Sequence, residues 1–111
     1  MNREDRRAAI AAYKQRKIPA GIYAIRCAAT GQCWVGSARD LGTIHNRHWF
    51  ALRQGGSRHR DLQEAWRRHG EASFTFERVE TFDEDLKDYV RDRALKERLQ
   101  FWKSELRAEA I

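Results

Sequence analysis

Seventeen of the 22 basic side chains in this sequence are arginine, set against 16 carboxylates for a net charge of +6. The guanidinium is a planar fork that grips a phosphate or carboxylate through two parallel hydrogen bonds, which the point charge of lysine cannot do. The chemistry such a surface favours is attraction of a phosphate-bearing partner. Arginine-rich helices are also ordinary solvated surfaces, so charge alone leaves both readings open. Other reactive types are sparse. His45 and His48 stand three apart, a spacing at which two helical imidazoles can touch one ion, but no clear third ligand accompanies them. Cys27 and Cys33 are the two cysteines, too few for a disulfide scaffold and suited to a reduced cytoplasm.

The 111 residues are enough for one domain and its core. A hydrophobic fraction of 41% with four tryptophans excludes a disordered basic tail. No apolar run reaches the roughly 18 residues of a membrane span, and no signal-peptide pattern opens the sequence. The expectation is a cytoplasmic domain with no membrane partner and no obligate protein partner.

The elements that must position any site follow from pattern. Residues 4–17 predict a basic helix, with Glu4 and Asp5 in its first turn and Pro19 ending it. The run from Ala20 to Arg26 alternates and is rich in strand formers. A turn at Ala28–Gln32 leads to a second short strand at Cys33–Gly36, giving a hairpin. Ser37 or Asp40 can cap a helix to about Arg53 that carries Leu41, Ile44, His48 and Leu52 on one face. After a glycine-rich loop, Asp61–His69 predicts a short helix with Leu62, Ala65 and Trp66 inward and Gly70 as its stop. Phe74–Glu80 predicts a third strand, and Asp83 caps a last helix to about Arg107. The fold class is therefore α/β or α+β.

Gly21-Ile22-Tyr23, ten residues, then Trp34-Val35-Gly36 resembles the paired signature of the GIY-YIG nuclease family. The likeness continues through Ser37-Ala38-Arg39-Asp40-Leu41, the stretch Asn46–Gly55, Leu62–Trp66 before His69-Gly70, and Glu97–Trp102. It spans about Gly21 to Leu106. The resemblance is closer still to a small bacterial subgroup found alone or attached to LuxR-type and ArsR-type regulators, on Tyr13–Lys17 and Asn46-Arg47. It implies one domain over residues 20–111, a three-stranded antiparallel sheet flanked by helices, with residues 1–19 as an extra N-terminal helical extension.

The resemblance also implies phosphodiester hydrolysis with one divalent ion, Mg²⁺ or Mn²⁺, which needs an oxygen ligand, a group to orient water and a cation at the phosphate. Tyr23 holds the first motif tyrosine position, where the alternative is a half-buried strand aromatic. Trp34 replaces the second tyrosine; indole cannot ionise, so it is left with packing or base stacking. Ile44 occupies the place of the phosphate-binding arginine. Arg47, one turn on, could reach the same cleft or lie solvated. His48 matches a motif histidine that could bond a phosphate or shuttle a proton, or could be a core residue, and Asn46 could orient either neighbour. Leu99 falls at the metal-binding glutamate position. Glu97 could replace it only through a shifted register, because two helical residues are about 200° apart. Ser57 stands where a motif histidine is usual, with His59 two residues on.

The implied partner is DNA, duplex or single-stranded, held through backbone phosphates by Arg39, Arg47, Arg53, Arg58, Arg60, Arg67 and Arg68. Two functions follow: a metal-dependent DNA endonuclease, or a DNA-binding or regulatory module on the same fold without cleavage.

Overall fold

The structure, a computed structural model, describes residues 18–82 and 87–111. The expected N-terminal helix and the Asp83 cap lie outside the described residues. Elsewhere the expected order holds: β1 (Gly21–Cys27), β2 (Cys33–Ala38), α1 (Leu41–Gln54), α2 (Arg60–His69), β3 (Phe74–Thr81) and α3 (Asp88–Glu105). The fold is mixed α+β, with the sheet flanked by helices on both faces.

The three-stranded sheet expected from pattern is corrected to four strands in the order β3-β1-β2-β4. The added strand β4 (Glu109–Ala110) runs parallel to β2, and the Ile111 N–H donates to the Val35 carbonyl at 2.9 Å. Two residues are too few for any periodicity, so this edge could not be read from pattern.

The central strand β1 pairs antiparallel with both β2 and β3, and five of its seven residues, Gly21 to Ile25, form an unbroken buried run. Helices cover both of its faces, which removes the alternation a half-exposed strand would show. On one face Tyr23, Ile25, Cys27 and Trp34 pack against Leu41, Trp49 and Leu52 of α1 and Leu62, Ala65 and Trp66 of α2. On the other, Ile22 and Val35 meet Leu95, Leu99 and Trp102 of α3.

Local chemistry sets each helix. The Asp40 carboxylate accepts from the Gly42 N–H at 2.8 Å, capping α1, which ends at Gly55 in a left-handed conformation with φ 74°. The buried Gln63 amide donates to the Leu52 carbonyl at 3.0 Å and accepts from the Ser57 N–H at 3.1 Å, tying α2 and its loop to α1. On the far face, the Glu80 carboxylate accepts from Arg98 Nε and Trp102 Nε1, both at 2.7 Å, which fixes the rotation of α3 against β3.

Candidate active site

Two glycines shape the site. A Cβ on Gly36 would run into the Tyr23 hydroxyl and come within 2.5 Å of its Cζ, so the bare backbone of β2 is what lets the phenol lie across the sheet. A Cβ on Gly21 would collide with the Glu80 carbonyl, beside the register shift between Ile22 and Tyr23 in the β1–β3 pairing. Gly36 thus makes room for the Tyr23 phenol, and Gly21 for the close approach of β3.

Tyr23 is 3% exposed. Its ring stacks on Phe76 of β3 at 5.3 Å, and Phe76 in turn stacks on His45 of α1 at 4.4 Å. The Tyr23 hydroxyl lies 2.7 Å from His48 Nε2. Burial pushes the phenol up to about 12. Burial first, then the charges of His59, Arg47 and His45, push His48 down to about 4. Both groups are neutral at pH 7, and the phenol O–H donates to Nε2 when the imidazole proton sits on Nδ1.

His48 opens onto a cleft of about 310 Å³ lined by Ile44, Arg47, Ala51, Gly56, Ser57, Arg58 and His59 as well. The His48 and His59 rings are 6.0 Å apart. Arg47, His48, Arg58 and His59 thus share one cleft, and Tyr23 meets it from beneath through His48. Two arginines and two histidines share this lining, and among the described residues no carboxylate does, so its local charge is positive.

The other expected site residues are placed differently. Trp34 is 1% exposed, stacked with Phe74 at 6.2 Å, so the core takes the face a base would need. Arg53 is engaged by Glu71 through two bonds of 2.6 and 3.0 Å, and Arg39 by Asp92 at 2.6 Å. Asn46 is exposed on α1 outside the cleft lining. His45 turns to Phe76 and to Trp49 rather than joining His48 at one ion.

The Glu97 expectation is corrected. Leu95 and Leu99 point into the core beneath β2, and Glu97, between them and about 200° round the helix from each, is exposed. The shallow pocket over Leu95 and Leu99 holds Asp92, which is bound by Arg39 and flanked by Arg91. Among the described residues no three of His, Cys, Asp or Glu group together so as to hold an ion. A hard divalent cation wants oxygen ligands, and the cleft offers nitrogen bases and cations. Among the described residues the cleft lining by itself therefore supplies no carboxylate oxygen for Mg²⁺ or Mn²⁺.

Phe76, Asp92 and Glu71 went unread as site residues. For Phe76 a signal existed: with Phe74 at the strand period of two, it had to share a face. Asp92 and Glu71 carried none.

The fold is that of a GIY-YIG-like domain, as the resemblance in the sequence led one to expect. Two solved structures match the chain with a TM-score of 0.68. One is the catalytic domain of the homing endonuclease I-TevI, 29% identical over 83% of this chain and 97% of that one. The other is a point mutant of the catalytic domain of the intron endonuclease I-TevI, 28% identical over 81% of this chain and 86% of that one. No protein-family profile and no curated protein matches the chain. Among the described residues no helix is long and apolar enough to cross a membrane.

Proposed function

We propose that this chain binds DNA through its backbone phosphates, using the cleft between α1 and the loop before α2. The observation that carries the reading is the lining itself, where Arg47 and Arg58 stand beside the Tyr23–His48 pair with no carboxylate among them. A phosphodiester oxygen there meets two guanidinium forks and neutral donors in a partly desolvated recess. Likeness to the catalytic domain of a homing endonuclease supports DNA as the nucleic acid. Resemblance to the small bacterial subgroup found alone or attached to LuxR-type and ArsR-type regulators, and a cytoplasmic setting without an obligate protein partner, complete the proposal.

A second reading, endonucleolytic hydrolysis with Mg²⁺ or Mn²⁺, is favoured by one observation, the intact Tyr23–His48 pair. A phenol at about 12 is a weak acid and will not ionise at pH 7. In such a step the attacking water would give its proton to the Tyr23 oxygen as the phenol proton passes to His48 Nε2. The new P–O bond would form as the old one breaks, and His48 would return the proton to the leaving oxygen. With His48 held down to about 4, this relay is a weak base. Supercoiled plasmid and single-stranded DNA, incubated at enzyme excess with Mg²⁺ or Mn²⁺ and then with EDTA, decide between the two. Tight binding without nicking supports the binding module. Metal-dependent nicking lost in Tyr23→Phe would replace it with the nuclease, and absence of binding to either DNA would overturn both.

A further inference from the structure

Phe50 is 66% exposed on α1, although its neighbours Trp49 and Leu52 are buried. The residues one turn away on the same face are Asn46, Arg47, Arg53 and Gln54, all exposed and all polar or cationic. The ring is therefore no fringe of the core. It stands alone in a polar surface, one turn from Arg47, which lines the cleft of the proposed phosphate site. Among the described residues no aromatic ring and no cation stacks on it; the arginine over an aromatic face is Arg98, on Phe101.

We propose that Phe50 is a stacking platform for an unpaired base of a single-stranded DNA segment whose phosphate sits in the Arg47–Arg58 cleft. The inference rests on the phosphate-binding reading and adds a substrate class to it. Charge complementarity selects the occupant. An apolar protein partner would have to bury Arg47, Asn46 and Gln54 around the ring, whereas a nucleotide offers a π-face to Phe50 and an anion to the neighbouring arginines. A lone ring lying on a helix surface cannot reach a base that is stacked inside a duplex. Single-stranded or locally opened DNA is thus the form that uses both features, and the preference it gives is tolerant of sequence.

The test is fluorescence anisotropy of the whole chain with a 15-nucleotide single strand and with the matching duplex at one salt concentration. A parallel titration uses a strand carrying 2-aminopurine. The single strand should bind at least 5-fold more tightly, with quenching of the 2-aminopurine. Phe50→Ala should weaken single-strand binding by about 10-fold and leave duplex binding unchanged, because one base–aromatic stack carries roughly that factor. Phe50→Tyr should restore it. The position is exposed, so folding is not at stake, and circular dichroism of each variant confirms it. Equal single-strand affinity of Phe50→Ala and the wild type, or equal losses on both DNA forms, overturns this inference alone. A wild-type chain that binds neither DNA overturns the phosphate reading and this one with it.

Discussion

The Tyr23 hydroxyl and His48 Nε2 meet at 2.7 Å, joining the central strand to the first helix across 25 residues of sequence. Burial keeps His48 neutral at pH 7, and the bond satisfies the hydroxyl of the buried Tyr23. Removing the hydroxyl in Tyr23→Phe leaves the imidazole without that partner and should cost about 1 kcal/mol. Urea unfolding of the wild type and the variant measures it; a cost near zero would mean that water replaces the phenol.

The pH dependence has a definite sign. His48 is held neutral down to about 4 in the folded chain, whereas an imidazole in the unfolded chain gains a proton near 6.5. Between these values the unfolded state binds more protons, so acid favours it. The contribution is complete above about pH 6.5 and is lost as pH falls towards 4. The thermal midpoint of His48→Gln should therefore drop less between pH 7 and pH 4.5 than that of the wild type. Parallel curves would show that His48 titrates normally.

Gly36→Ala inserts a methyl group into the Tyr23 ring, and the ring is clamped by Phe76 on its other side. Overpacking of this kind costs about 1–3 kcal/mol. In a Tyr23→Ala background the same change should cost far less, since the obstacle is gone. A double-mutant cycle from denaturant unfolding reads the coupling directly, and additive losses would place the strain elsewhere.

How much of this was legible in the sequence depends on the range of the interaction. The hairpin and the helix cap rest on neighbours within a few residues, so pattern found the hairpin and narrowed the cap to Ser37 or Asp40, of which the structure uses Asp40. The motif glycines were visible as a signature, and the structure supplies a reason for each: the Tyr23 phenol at Gly36 and the β3 backbone at Gly21. The phase of α3 was legible too: Leu95, Leu99 and Trp102 share a face that excludes Glu97. What pattern could not reach are pairs made only by the tertiary fold. Arg39 finds Asp92 across 53 residues and Arg53 finds Glu71 across 18, so both arginines, expected on DNA, are engaged internally. Trp34 could be read as packing or stacking from its type, and only its enclosure by Phe74 and the strands decides.

The Arg39–Asp92 pair makes its own prediction. Exposed pairs contribute under about 1 kcal/mol to stability, so Asp92→Asn should fold normally. It would free a guanidinium beside the end of β2, and DNA affinity should rise by about 2- to 10-fold at low salt. Electrophoretic mobility shift checks this. Unchanged affinity would place Arg39 outside the DNA path.

The most direct measurement of the central claim is the salt dependence of DNA affinity for the wild type, Arg47→Ala and Arg58→Ala. If the cleft holds backbone phosphate, the logarithm of the association constant falls linearly with the logarithm of salt concentration. Each substitution should then lower affinity and reduce the steepness of that line by about one. Variants that keep the wild-type slope and affinity would contradict the account, because the two guanidiniums that define the cleft would then touch no phosphate.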